Sequence, residues 1–127
     1  MKIEVRSSAS SAEYYFREGC YITELSNTEN DQDLSIARVR VASGKATRWH
    51  SLEGIAERYV ILSGNGRAEV GDDHVREVAA GDVVVIPAKT AQRIINTGQG
   101  DLIFLALCTP RFDESAYRDL EGEDMNQ

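Results

Sequence analysis

The stretch GKATRWHSLEGIAERYVILSG, residues 44–64, alternates polar and apolar side chains and carries His50 and Glu57. The alternation predicts two short strands, residues 46–51 and 57–63, joined by a turn at SLEGIA. Side chains on one face of an antiparallel pair lie close together, so this pair would place His50 and Glu57 on one concave face. An imidazole and a carboxyl so placed can share a metal ion or a proton, and we interpret the stretch as the floor of a small-molecule site.

Turn signals recur along the chain from Leu34 onward and separate short runs of strand-forming residues. Asn65-Gly66 is the strongest hairpin signal, because both residues tolerate the positive φ of a type I′ turn. Helical periodicity is nearly absent outside the two ends of the chain. The sequence therefore predicts an all-β sandwich or barrel of antiparallel strands. The predicted strands have the sequences CYITEL, SIARVRVA, RAEV, HVREVA, VVVIP, AQRIIN and LIFLALC.

Two blocks of the sequence resemble the motifs of a known family. Gly44, His50, Glu57 and Gly64 follow one another at the spacing of the first cupin motif, which has two histidines and a glutamate between two glycines. The block GDVVVIPAKTAQRIIN, residues 81–96, is similar to the second cupin motif, with its first glycine, its proline and its last asparagine in register. The two blocks stand in the family's order, and the resemblance covers roughly residues 35 to 110.

The resemblance implies a fold and a domain organisation. We expect an all-β, antiparallel double-stranded β-helix, the jelly-roll or cupin barrel, over residues 34–112. Residues 1–33 would form an N-terminal extension with a strand and a helical turn, and residues 113–127 an acidic C-terminal tail.

The chain departs from the family pattern at its metal ligands. Leu52 stands where the first motif has its second histidine, and Gln92 where the second motif has its histidine. The ligand set that the resemblance implies is thus reduced to His50, Glu57 and Gln92. An amide oxygen is a poor ligand for zinc, copper or nickel. A divalent ion of iron, manganese, zinc or nickel would be held weakly here, with positions left open to water.

Strand parity extends the list of candidate site residues. Arg48 shares the face of His50, and Tyr59 shares that of Glu57. The planar guanidinium of Arg48 suits a substrate carboxylate or phosphate, although an arginine on a strand is more often solvated on the outer face. We predict His50 and Glu57 as catalytic residues and Arg48, Tyr59 and Gln92 as substrate-binding residues. Asn96 is interpreted as a turn residue because Thr97-Gly98 follows it.

Composition bounds the class of protein. The chain has 127 residues, enough for one domain with a core, and 42% of them are hydrophobic. A formal net charge of -7 argues against nucleic-acid and anionic-membrane partners. No apolar run approaches membrane-spanning length and no secretory signal is evident, so we expect a cytoplasmic protein. Cys20 and Cys108 form no metal or redox motif and are interpreted as buried reduced thiols, with Cys108 able to face the cavity.

The two ends of the chain carry weaker signals. Residues 1–6 alternate like an edge strand, and Ser10 with Glu13 has the spacing of a capping box that would start a helical turn through EYYFRE. Between residues 113 and 127 six acids oppose the single basic residue Arg118, which predicts a solvated, partly disordered tail.

Three predicted strands, YVILS, VVVIP and LIFLALC, are apolar on both faces. If Glu57 points inward, so do Tyr59 and Ile61, and Val60 and Leu62 face outward. An apolar outer face has to be covered. A second subunit is the simplest cover, and we predict a homodimer, which the resemblance to cupins also implies. The alternative cover is the N-terminal strand.

Two functions from different classes remain open. The first is an enzyme in which the reduced ligand set binds a divalent metal and acts on a small oxygenated metabolite, as lyase, isomerase or dioxygenase. A metal-free version resembles the sugar-nucleotide epimerase cupins, with His50 as a general base oriented by Glu57. The second is a non-catalytic ligand-binding barrel, which the apolar Leu52 favours.

Overall fold

The computed structural model describes residues 1–8 and 11–122. No helix among these residues is long and apolar enough to cross a membrane. They form eleven β-strands, and a 3-10 helix, Glu114–Ala116, precedes the last of them. The strands are β1 (Tyr14–Phe16), β2 (Cys20–Ser26), β3 (Ser35–Val41), β4 (His50–Leu52), β5 (Ala56–Ser63), β6 (Asn65–Val70), β7 (His74–Ala79), β8 (Val83–Ile86), β9 (Gln92–Asn96), β10 (Leu102–Thr109) and β11 (Tyr117–Asp119).

The strands form two antiparallel sheets that face each other across the core. The larger sheet has six strands in the order β1-β2-β3-β10-β5-β8, and the smaller has five in the order β11-β4-β9-β6-β7. From β3 onward the chain crosses repeatedly from one sheet to the other, as expected of a jelly roll. The predicted all-β barrel is confirmed, and the strands predicted downstream of Leu34 lie within two residues of their observed bounds, except residues 46–51, of which only His50 and Ser51 belong to a strand.

Alternation along the strands decides which side chains face the core. In β5, Glu57, Tyr59 and Ile61 are buried, whereas Val60 is half-buried and Leu62 is exposed, as predicted. In β9, the buried residues alternate in the same way from Gln92 to Asn96. In β3, Val39 and Val41 are buried, so its two arginines face outward. The core consists mainly of these inward-facing apolar side chains from both sheets.

His50 and Glu57 both reach the core, as predicted, but not through the predicted pairing of their strands. The strands that carry His50 and Glu57 do not pair with each other: β4 pairs with β11 and β9, and β5 pairs with β10 and β8. Gly54, in the connection between them, has a φ of 71° and helps to carry the chain from one sheet to the other. His50 and Glu57 therefore approach the core from facing sheets rather than along one strand pair.

The hairpin predicted at Asn65-Gly66 is also wrong. Asn65 is not among the residues with positive φ, which a type I′ turn requires, and both residues belong to β6. The chain crosses between the sheets one residue earlier, at Gly64, whose φ is 91°. The turn predicted at Gly71 is present and joins β6 to β7, with a φ of 66° at the glycine.

The ends of the chain differ from the prediction. Tyr14–Phe16 is a strand that pairs with β2, where a helical turn was expected, because its aromatic residues favour a sheet once a partner strand is available. Residues 1–6 form no strand. The predicted solvated tail is wrong for Tyr117–Asp119, which pairs with β4. The predicted cap Ser10 and residues 123–127 lie outside the described residues.

Candidate functional site

Four of the predicted site residues meet in the lumen between the two sheets. His50 opens β4 and Gln92 opens β9, and the two residues are Cα partners in the smaller sheet. Glu57 and Tyr59 enter from β5 of the larger sheet. All four are buried, with exposed fractions of 1% for His50 and Gln92, 2% for Tyr59 and 8% for Glu57. The predicted convergence of these side chains is thus seen in the structure.

A chain of hydrogen bonds links the two sheets. The Tyr59 hydroxyl donates to Oε1 of Gln92 over 2.5 Å, and Nε2 of Gln92 donates to Oε1 of Glu57 over 3.1 Å. The other Glu57 oxygen, Oε2, has the Cys108 thiol at 3.8 Å. These contacts fix the orientation of the Gln92 amide and present one edge of the Glu57 carboxyl to the lumen.

The ring of His50 is held in one tautomer. Its Nδ1 lies 2.6 Å from the main-chain oxygen of Arg48, and a carbonyl oxygen only accepts, so Nδ1 carries the proton. In the neutral ring, Nε2 is then unprotonated. Tyr117 stacks on the ring, with centroids 5.2 Å apart and planes at 17°. The register of β11 against β4, in which Tyr117 is opposite Leu52, sets up this contact.

Sequence analysis missed the acid that faces His50. Oε1 of Glu18 lies 3.6 Å from Nε2 of His50, and Oε2 lies 4.0 Å from the Cys20 thiol. Glu18 follows β1 and precedes Gly19, which turns the chain into β2 with a φ of 101°. The available signal was the inward parity of Phe16, Glu18 and Cys20, which the interpretation of this segment as a helical turn concealed.

Tyr117 is the second residue that was missed. It lies in the predicted tail and yet is 5% exposed, with a T-shaped contact to Phe16 and the stacked contact to His50. Among the described residues its hydroxyl is the one buried side-chain polar atom without a hydrogen-bond partner. A polar group so placed is available to a bound molecule.

Burial sets the protonation of this site. Burial raises the pKa of Glu18 to about 8, against the opposing charge of Arg17. Burial and, next, the charge of Glu18 raise the pKa of Glu57 to about 7. Burial lowers the pKa of His50, so the imidazole is neutral at neutral pH. Burial also holds the pKa of Tyr59 well above its usual range, so its phenol donates a hydrogen bond and does not ionise.

Arg48 does not join the other predicted site residues. Its Nε lies 2.9 Å from Oδ2 of Asp119, and its Nη1 lies 3.7 Å from Oε1 of Glu121. The guanidinium is thus paired with carboxylates at and after the end of β11, whereas the sequence analysis expected it beside His50 in the lumen. The alternation that predicted its direction fails because β4 begins only at His50.

The donor set fits a metal ion poorly. Of the residues that the structure describes, no group of three histidine, cysteine or acidic side chains is placed to hold a metal. The Gln92 oxygen accepts the Tyr59 hydroxyl, and its amide nitrogen points at Glu57. Burial favours the protonated form of the Glu57 carboxyl, which is a poor ligand.

A narrow cavity reaches the acids of the site. It has a volume of about 50 Å³, and Glu18, Glu57, Tyr59 and Cys108 contribute to its walls. This confirms that the free, buried thiol of Cys108 faces a cavity. A larger concavity of about 580 Å³ lies between β7 and β8 and includes none of the predicted site residues. Of the four converging residues, Glu57 and Tyr59 line the narrow cavity together with Glu18, whereas His50 and Gln92 are not in its walls.

Known proteins resemble this chain in sequence and in fold. "Uncharacterized protein MJ1618" of Methanocaldococcus jannaschii is 32% identical over 110 residues, which cover 85% of this chain and 87% of that protein. Pac13 of Streptomyces, a nucleoside dehydratase, has a similar structure, with a TM-score of 0.78 and 18% identity over 94% of this chain and 92% of Pac13. A predicted oxalate decarboxylase of Thermotoga maritima gives a TM-score of 0.72 and 26% identity, covering 84% and 99% of the two chains.

The match to a family is more extensive than either motif block. Residues 37–108 match the family model described as "Cupin domain", a span that begins within β3, ends within β10 and includes no part of β1, β2 or β11. More than half of the chain is covered, and the two facing sheets have the expected arrangement. This chain belongs to the cupin family.

Proposed function

We propose that this protein is an enzyme that binds a small oxygenated metabolite and moves protons on it, in a lyase or isomerase reaction. The observation that carries the proposal is a base beside an acid in a buried lumen. The unprotonated Nε2 of His50 lies 3.6 Å from the Glu18 carboxyl, whose pKa of about 8 keeps it protonated at neutral pH. A pair of groups with pKa values displaced in this way is suited to general acid–base catalysis.

In the proposed reaction, His50 takes one proton from the substrate and Glu18 gives one to it, and the two groups then restore their starting states by exchanging a proton. In a dehydration, Nε2 of His50 removes a proton from the carbon next to a carbonyl, and the electron pair of that bond forms a carbon–carbon double bond. The carbon–oxygen bond at the neighbouring carbon breaks, and Glu18 gives its proton to the departing hydroxyl, which leaves as water. The imidazolium then returns a proton to the Glu18 carboxylate. In an isomerisation, the same two groups remove and return protons without loss of oxygen.

The remaining side chains position the substrate. Gln92 holds Glu57 through its amide nitrogen and is itself held by Tyr59. One edge of Glu57 and the unpartnered hydroxyl of Tyr117 are left to contact oxygen atoms of the substrate. The similarity to Pac13 is a likeness of fold, and a dehydratase with the same fold supports the choice of a lyase reaction as the first to be tested.

A divalent metal at His50, Glu57 and Gln92 stays a prediction of the sequence. The proposal routes no step through it, because Gln92 is hydrogen-bonded to Tyr59 and Glu57, and among the described residues no three histidine, cysteine or acidic side chains are placed to hold a metal. Metal content can be measured directly. Near-stoichiometric metal in protein purified without chelator, lost in a His50→Ala variant, would replace the metal-free mechanism.

The test is deuterium incorporation and loss of water, followed by mass spectrometry in D₂O. A panel of small hydroxy and keto acids, sugars and nucleosides is incubated with the wild-type protein and with His50→Gln and Glu18→Gln variants. We expect at least one compound to exchange or lose water with the wild type, at a rate reduced at least about a hundredfold in either variant. Glu69→Gln is the matched control, because Glu69 lies outside the lumen between Arg67 and Arg93.

Two outcomes would overturn the proposal. Turnover that persists in His50→Gln would show that the base lies elsewhere. Binding of a compound without exchange or water loss would favour the second function, a ligand-binding barrel, in which the hydrogen-bonded Tyr59, Gln92 and Glu57 serve only to recognise the ligand.

We also propose that the protein is a homodimer. The outer face of the larger sheet is apolar at its centre, where Leu105 of β10 lies opposite Val60 of β5, and Val60 lies opposite Val83 of β8. The alternative cover was the N-terminal strand. Residues 2 and 4 instead bond to Asn30, and Ile3 and Val5 are fully exposed. A second copy of the sheet is then the simplest cover for this face.

A further inference from the structure

The narrow cavity has walls of a distinctive composition. Five aromatic rings and three glutamates contribute to it, whereas no lysine, arginine or histidine does. All three phenylalanines of the chain are among these rings. Rings and carboxyls in one cavity without a basic side chain form a surface of a single electrostatic sign, because the face of an aromatic ring is also negative. The rings are Tyr14, Phe16, Tyr59, Phe104 and Phe112, and the acids are Glu18, Glu24 and Glu57.

The acids of this cavity lack cationic partners. Within the described residues, no lysine or arginine nitrogen lies within 4.0 Å of the carboxyls of Glu18 or Glu57. Glu57 is 8% exposed, and its Oε2 has only the weak contact to the Cys108 thiol at 3.8 Å. The charge of Arg17 acts on Glu18 from beyond 4.0 Å, so the chain buries both carboxyls without a directly paired cation.

Nearby guanidinium groups are engaged outside the cavity. Arg17 pairs with Glu114 at 3.4 Å, and Arg111 donates to Oδ1 of Asn27 over 2.9 Å. The guanidinium of Arg17 also lies over the rings of Tyr117 and Phe16, at 4.5 and 5.7 Å from their centroids. Arg17 is thus engaged by Glu114 and by these two rings.

The entrance to the cavity has the same character. A shallow concavity of about 390 Å³ shares Tyr14, Phe16, Glu24 and Phe112 with the cavity. It adds Asp113 and Glu114, with Arg111 as its single basic residue. This approach is net negative and attracts cations ahead of anions.

We propose that the cavity binds the ammonium head group of a small organic cation. A bound ammonium group favours the ionised form of these carboxyls, which lose their protons to solvent and then supply the charge, and the aromatic rings supply cation–π contacts to the desolvated group. An anionic ligand would meet three glutamates and no basic side chain in the walls. A volume of about 50 Å³ admits a head group of a few atoms, and the rest of the ligand would extend into the shallow concavity.

This inference rests on the proposed function only in that both use Glu18 and Glu57. It names the charge class of the molecule that the site accepts, and binding can be measured without turnover. A protein that binds ammonium compounds and transforms none of them would contradict the proposed function and leave this inference intact. If the protein transformed neutral or anionic compounds and bound no ammonium compound, this inference would be contradicted and the proposed function would stand.

The experiment is isothermal titration calorimetry on the whole protein, with a thermal-shift measurement alongside. The probes are choline and its uncharged carbon isostere, in which a tert-butyl group replaces the trimethylammonium group. Methylammonium is the smallest probe, and sodium chloride at equal concentration controls for ionic strength. We expect choline or methylammonium to bind and to raise the melting temperature, and the uncharged isostere to bind at least about tenfold more weakly.

Two variants keep the test decisive. Glu57→Gln retains the shape of the side chain and removes its charge, so it should reduce the preference for choline over the isostere at least about tenfold. Phe112→Leu keeps an apolar wall and removes a ring, and it should weaken choline about tenfold while leaving the isostere nearly unchanged, whether or not the first variant folds. Equal binding of choline and the isostere, or no binding of either ammonium probe to the wild type, would overturn the proposal.

Discussion

At the scale of single residues, Glu18 and Glu57 determine how stability depends on pH. Both carboxyls have pKa values raised by burial, to about 8 and about 7, from 4.5. The folded state therefore binds more protons than the unfolded state, and folding is favoured most below the unfolded pKa and progressively less as pH rises through the folded pKa. His50 has the opposite dependence, because its pKa is lowered, but its contribution changes only below about pH 6.5.

We predict that the melting temperature falls as pH is raised from about 6.5 to 8.5, with a loss on the order of a few kcal/mol at the upper limit. Glu57→Gln should flatten this decline, since an amide does not titrate. Thermal unfolding followed by circular dichroism across the pH series measures the effect. Glu69→Gln is the matched control. Burial would raise the pKa of Glu69, but its bonds to Arg93 and Arg67 lower that pKa. This variant should therefore show the same fall of melting temperature with pH as the wild type. A wild-type melting temperature constant over this interval would contradict the burial of these charges.

Individual site residues were predictable where a motif fixed their position. His50, Glu57 and Gln92 occupy motif positions, and the alternation of β5 added Tyr59. Tyr117 was out of reach, because it comes to His50 through the pairing of β11 with β4, remote from the motifs, and Glu18 was missed because its segment was interpreted as a helical turn. Arg48 was misplaced because alternation holds only inside a strand, and Arg48 precedes β4.

At the scale of elements, the crossing between β5 and β6 depends on Gly64. A Cβ atom at this position would lie 2.5 Å from the main-chain oxygen of Asp101 and 2.9 Å from Cα of Leu102, and the φ of 91° is one that other residues rarely adopt. Gly44 shares the positive φ, at 75°, but a Cβ there would meet nothing within 4 Å. The two motif glycines thus differ in the room around them and not in their need for a left-handed backbone.

We predict that Gly64→Ala destabilises the protein by at least about 3 kcal/mol, since it adds a collision with main-chain atoms to the backbone strain. Gly44→Ala, the matched control, should cost only about 1 kcal/mol from the strain alone. Urea denaturation monitored by tryptophan fluorescence measures both. Equal losses in the two variants would mean that the approach of β10 to Gly64 contributes nothing.

Elements were predictable to the extent that local pattern determined them. The run of β3 alternates apolar and basic residues, and β8 and β10 are short apolar runs bounded by turn signals, all of which is visible in the sequence. Asn65-Gly66 has good hairpin chemistry, but pairing of β6 with β7 and β9 kept it within a strand. Tyr14–Phe16 likewise became a strand through its pairing with β2, which no local propensity reveals.

At the scale of the whole molecule, the outer face of the larger sheet predicts association. Val60 and Leu105 are register partners on this face and are only half-buried, and Val83 and Val85 beside them are 57% and 65% exposed. Apolar side chains contiguous over three strands are uncommon on the surface of a monomer.

We predict that the protein sediments as a dimer at micromolar concentration and that Leu105→Arg, which adds a charge beside Arg38, converts it to a monomer. Val75→Arg is the matched control, because Val75 is a 49% exposed valine on β7 of the other sheet. Analytical ultracentrifugation distinguishes the two states. A monomeric wild type at this concentration, or a monomer produced equally by Val75→Arg, would rule out this interface.

The pairing of β11 with β4 has a consequence for how the molecule is made. Because Tyr117 and Asp119 lie opposite Leu52 and His50, the imidazole acquires its stacked partner only after β1 to β10 have been synthesised. Glu18, beside Nε2 of the ring, is synthesised before both His50 and Tyr117. Such long-range pairing makes the site one of the last parts to assemble. A nascent or truncated chain that lacks β11 thus has the acids and His50 but not the stacked contact of Tyr117 with the imidazole.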